Sequence, residues 1–114
     1  MSLPIQQHTA DFTTAPQLQA ADMAAVAAAG FKTVVCNRPD FEHGAGQPTS
    51  AEIEAAATAA GLKYISLPVI PGMVTEAQAR AMADIVRLEA APVLAFCRSG
   101  SRSTNLRQLA QQFL

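Results

Sequence analysis

The chain has no tryptophan, one tyrosine and only two cysteines in 114 residues. A disulfide framework is therefore excluded as its source of stability, and two thiols without metal-ligand spacing fit a reducing compartment where one can stay free for chemistry. Charge is scarce too: charged residues make up 15% and the formal net charge is −1. Neither a nucleic-acid partner nor an anionic membrane is expected, since both need clustered Lys and Arg. No apolar run approaches the ~20 residues that cross a bilayer. The start, MSLPIQQHTADF, lacks the basic residues and apolar centre of a secretion signal, so a cytoplasmic protein is expected. Two His with no Cys or carboxylate at ligand spacing argue against a metal, and the absence of a glycine-rich dinucleotide signature means that no cofactor is implied.

What the chain does have is apolar content. Half of its residues are apolar and its mean hydropathy is +0.17, enough for one core and one domain over residues 1–114. Short β-branched runs alternate with Ala-rich stretches, the pattern of parallel strands joined by crossover helices. A weak first strand near Phe12–Ala15 leads into the helical QLQAADMAAVAAAG, with Gly30 as its stop. FKTVVC, LKYISLPV and VLAFC supply three more strands, the last wholly apolar and so expected at the centre of the sheet. Capping boxes at Thr49 to Glu52 and Thr75 to Gln78 open two further helices. Leu106, Leu109, Ala110 and Phe113 form the apolar stripe of a last helix starting near Ser103 or Thr104. The fold class is α/β, with a four-stranded, mainly parallel sheet flanked by helices.

In such sheets ligands bind beyond the carboxyl ends of the strands, where Cys97 lies. It opens the run CRSGSRST. A tight loop between a strand and a helix leaves its amides without partners; turned inward, they make an anion cradle over the positive end of the helix dipole. The expectation is that the amides of residues 98–103, with Arg98 and Arg102, converge on a Cys97 thiolate and keep it ionised. Gly100 gives the turn its freedom, and Ser99 and Ser101 are small enough to leave the cradle open. The planar fork of Arg102 suits two oxygens of a tetrahedral anion, and Ser103 is placed to donate to the sulfur. The plain alternative is a buried strand cysteine before a solvated turn. The Arg-Ser-Gly-Ser-Arg-Ser run favours a nucleophile.

The stretches AAAGFKTVVCNRPD, QPTSAEIEAAATAAGLKYISLPV and above all CRSGSRS resemble the phosphatase-like domain of beta-lactamase-hydrolase-like proteins, over nearly the whole chain. The resemblance implies a tyrosine-phosphatase-like fold and a cysteine-dependent phosphatase working through a cysteinyl-phosphate. Related domains are also linked to sulfur transfer. Two departures bear on the chemistry. Tyrosine-phosphatase-like loops usually read His-Cys, five residues, Arg, then Ser or Thr; here Phe96 replaces the His and four residues separate Cys97 from Arg102. The shorter loop resembles that of rhodanese sulfurtransferases, which carry a persulfide. The second departure is that PVIPGMV holds no Asp to protonate a leaving oxygen. Candidates for that acid, or for the site's rim, come from NRPDFEHGAGQPT: Asp40, Glu42 and His43, with Arg38 adding positive charge. Cys36 ends the strand expected beside that of Cys97 and is either buried filler or a resolving thiol.

The expected substrate is thus a small anion, either a phosphate ester or a sulfane-sulfur donor. An inactive anion-binding module is the third reading, and the sequence leaves substrate identity and oligomeric state open.

Overall fold

In the computed structural model, which describes residues 4–114, β5 (Val93–Phe96) is the middle strand of a five-stranded sheet. It pairs in parallel with β2 (Phe12–Ala15) on one side and β3 (Thr33–Cys36) on the other. Beyond β3 lies parallel β4 (Lys63–Ser66); beyond β2 lies antiparallel β1 (Gln6–Thr9). All four residues of β2, β3 and β5 are buried, as expected of strands covered on both faces.

Alternation along these strands feeds two cores. Val34, Cys36, Leu94 and Phe96 face one side, packed with Met23 and Val26 of α1 (Met23–Ala28) and Ile53 and Ala57 of α2 (Ser50–Ala59). Val35, Val93 and Ala95 face the other, against Ala79, Met82 and Ala83 of α3 (Glu76–Leu88) and Leu106 and Ala110 of α4 (Ser101–Ala110). The result is a sheet between two helical layers, with the carboxyl ends of four parallel strands along one edge.

Three sequence expectations change. The sheet has five strands, not four, because β1 is an exposed polar edge strand that hydrophobic periodicity cannot reveal. It is fastened by its turn and by His8, whose ring lies 2.8 Å from the Thr14 hydroxyl. The first helix is shorter than its Ala-rich run: Gln17 N–H donates to the Arg98 carbonyl, and a capped 3₁₀ turn at Ala20–Asp22 precedes the six-residue α1. The last helix begins at Ser101, since Gly100 (φ 96°) ends the loop in a left-handed conformation and lets the helix start at once.

The caps behave as their residues dictate. Thr75 and Gln78 form a reciprocal box at α3. At α2 the box is half formed: Thr49 accepts from Glu52 N–H, while the Glu52 carboxylate turns to the Thr49 hydroxyl.

Leu94 is fully buried at the centre of β5. Leu94→Ala is expected to cost about 3 kcal/mol, read as a lower urea midpoint at unchanged slope.

Candidate functional site

Strand register assembles the site. Ala15, Phe96 and Cys36 are paired across the ends of β2, β5 and β3, so Gln17, Cys97, Asn37 and Arg38 all emerge at one edge. Backbone bonds tie these exits together: Cys97 N–H donates to Ala15 O (3.4 Å), and Asn37 N–H to Phe96 O (2.8 Å). Gly100 then turns back, and its N–H lies 3.0 Å from Cys97 Sγ. A Cβ on Gly100 would meet the Ala15 carbonyl at an ordinary 3.5 Å, so glycine is required there by its φ and not by lack of space.

Cys97 is 1% exposed, yet it forms the floor of a cleft of about 370 Å³. One wall is the loop itself, through Arg98, Ser99, Ser101 and Arg102, continued by Asn105 one helical turn on. The opposite wall is Pro71, Gly72 and Val74. Arg98 is exposed at the rim, with no ion-pair partner among the described residues. The amide convergence expected from the sequence is narrower here. Gly100 supplies the hydrogen bond that reaches the sulfur, while Ser101 N–H turns to Ser99 Oγ. Ser103 is buried and donates to Asn37 Oδ1 at 2.8 Å instead of to sulfur, because Asn37 is itself held between strands by Leu67 O and Phe96 O.

Arg102 is held from behind. Its Nη1 donates to Glu42 Oε2 (2.9 Å) and Val69 O (2.8 Å), and its Nη2 to Glu42 Oε1 (3.0 Å). This end-on clamp leaves Nε–H and the second Nη2–H, the side-on edge of the fork, without a partner among the described residues. Glu42 Oε1 also accepts from Arg38 Nε (3.1 Å), and Arg38 Nη1 donates to Gln17 Oε1 (2.9 Å). With side-chain exposures of 7%, 15% and 10%, Arg38, Glu42 and Arg102 form a sheltered triad carrying one net positive charge. The hydrogen bond from Arg102, and secondarily that from Arg38, hold the Glu42 carboxyl below its ordinary 4.5 despite partial burial.

The residues of the 37–49 loop therefore stand elsewhere than a sequence-based rim would put them. Asp40 accepts from Ser50 N–H at 2.8 Å, at the start of α2. His43 is half exposed, 3.9 Å from Glu42. Arg38 is buried in the triad and not on a charged rim. None of the four lines the cleft, because the ion pairs draw this loop behind Arg102. Cys36 and Cys97 are both free. Burial pushes the Cys36 thiol up, and it donates to Arg38 O at 3.4 Å. Asn105 and the role of Glu42 as a brace were not read from the sequence; the i+3 spacing of Asn105 from Arg102 is the signal for the first, and nothing local signals the second.

The depressed Glu42 carboxyl carries a pH prediction. A carboxylate bound more tightly in the folded state contributes stability above its unfolded pKa and loses it as pH falls through its folded value. Unfolding free energy should therefore drop below about pH 4.5, with part of that drop absent in Glu42→Gln. At neutral pH, Glu42→Ala leaves two sheltered guanidinium groups facing each other and should cost up to about 3 kcal/mol by chemical denaturation.

This architecture is shared with known proteins. The chain is 37% identical over 99 residues to the beta-lactamase hydrolase-like protein of Agrobacterium fabrum, covering 87% of this chain and 23% of that one, so it spans about a quarter of that relative's length. A candidate phosphatase from Neisseria meningitidis Z2491 superimposes with a TM-score of 0.81 at 30% identity, over 90% of this chain and 72% of that one. TpbA of Pseudomonas aeruginosa, in its C132S form bound to phosphotyrosine, shares the fold at 18% identity with a TM-score of 0.68, over 91% of this chain and 59% of that one. The fold is tyrosine-phosphatase-like. Residues 5–113 match the family described as "Beta-lactamase hydrolase-like protein, phosphatase-like domain", and the chain belongs to that family.

Proposed function

We propose that the chain is a cysteine-dependent hydrolase of phosphate monoesters. The observation that carries this reading is Gly100 N–H at 3.0 Å from Cys97 Sγ, on the floor of a cleft flanked by Arg98 and Arg102. The Gly100 amide is placed to donate to the attacking sulfur and to hold it toward the cleft. The thiolate attacks phosphorus, and the ester oxygen leaves. Arg98 and the side-on edge of Arg102 hold the phosphoryl oxygens, whose growing charge meets donors already in place. Water then cleaves the cysteinyl-phosphate and restores the thiolate.

Glu42 adds nothing covalent here. It holds the guanidinium plane of Arg102 in one orientation, and so acts as a positioning residue. A small anionic substrate agrees with the phosphotyrosine bound by TpbA. A free catalytic thiol fits a reducing compartment such as the cytoplasm.

Sulfur transfer is the second reading, favoured by the six-residue span from Cys97 to Arg102 and by a cleft without carboxylates. In it Cys97 takes a sulfane sulfur from a donor as a persulfide and passes it to a nucleophile.

Hydrolysis of p-nitrophenyl phosphate is expected from the wild type and should fall at least about 10³-fold in Cys97→Ser. Arg102→Lys keeps the charge but not the fork, and should lower kcat by roughly 10²-fold. Thiocyanate formed from thiosulfate and cyanide, with no phosphate release, would replace this reading by the second. Neither product would leave an inactive anion-binding module.

A further inference from the structure

The leaving group's surroundings restrict the substrate further, an inference that rests on the phosphatase reading. Among the described residues, the ionisable groups lining the cleft are Cys97, Arg98 and Arg102. Arginine stays protonated in proteins and cannot act as an acid, and Cys97 is the nucleophile. A neighbouring hollow shares Gly72, Val74 and Asn105 with the cleft, and its other lining residues, Gln108 and Leu109, are uncharged as well.

Every nearby acid is committed elsewhere. Asp40 caps the start of α2, both Glu42 oxygens accept from guanidinium groups, and His43 lies beside Glu42 outside the cleft. Glu76 pairs with Arg80 at 3.4 Å and faces a separate cavity.

We infer that the cleft selects phosphoryl groups carried on acidic oxygens, such as electron-poor aryl phosphates or acyl phosphates, whose leaving oxygen departs unprotonated. The Cys97 thiolate forms the S–P bond as the P–O bond breaks; the electron pair leaves with the oxygen, which diffuses away as the phenolate or carboxylate anion. Water then attacks phosphorus, returning the thiolate and inorganic phosphate. Alkyl phosphates, including those of Ser and Thr side chains, are poor substrates because an unprotonated alkoxide is a very poor leaving group.

The test is a series of aryl phosphates from dinitrophenyl to phenyl, with an alkyl phosphate at the end, assayed on the wild-type chain by kcat/KM. When the full charge remains on oxygen, each unit of leaving-group pKa costs up to about tenfold in rate. A steep decline is expected, with no alkaline limb between about pH 7 and pH 9 for the nitrophenyl ester. The same slope is expected in Asp40→Asn, His43→Gln and Glu76→Gln. A shallow series in the wild type overturns the inference, and a slope that steepens in one of those variants identifies the acid. If none of the esters is hydrolysed, or if Cys97→Ser hydrolyses them equally well, the phosphatase reading itself falls.

Discussion

The row of paired residues Ala15, Phe96 and Cys36 is the constraint on which the site depends. Parallel strands in this register deliver three chain exits to one edge within hydrogen-bonding distance of one another. The loop after β5 is thereby pinned at both sides before it turns at Gly100, and the sulfur comes to rest under the Gly100 amide. A slip of one residue in β5 would exchange its two faces, sending Leu94 and Phe96 toward α3 and α4 and Val93 and Ala95 toward α1 and α2. The same packing that makes the core holds the geometry of the site.

Electrostatics add a second layer. The chain's net charge is −1, yet the edge where Cys97 lies holds Arg38 and Arg102 around a single carboxylate, with Arg98 exposed above. Local excess positive charge, not the field of the whole molecule, is what attracts an anion to such a cleft. Placing Glu42 behind Arg102 reconciles two demands. It offsets the cost of sheltering a guanidinium group, and it occupies the end-on face of the fork while the side-on edge stays available.

Much of this was legible one residue at a time. VLAFC as the central strand, Gly30 in a left-handed turn after its helix, the Thr75 cap and Gly100 at the turn all follow from local rules about periodicity, capping and φ. The expectations that changed depend on distant partners. Gln6–Thr9 is a strand because β2 offers it an edge, and residues 16–19 stay out of the helix because Gln17 is bonded to Arg98. Glu42 has the composition of a solvated loop residue until Arg38 and Arg102 are brought to it.

What the linear chain determined is the chemistry on offer: a cysteine at the end of an apolar strand, a glycine able to reverse the backbone three residues later, and an arginine two beyond that. These are properties of residue type and short spacing, which local sterics and hydrogen bonding settle without reference to the rest of the molecule. Tertiary structure decided the assignment of partners. It gave Ser103 to Asn37, Glu42 to Arg102 and the opposite wall to Pro71, Gly72 and Val74. Such pairings join residues tens of positions apart, and only the stacking order of the strands brings them within reach.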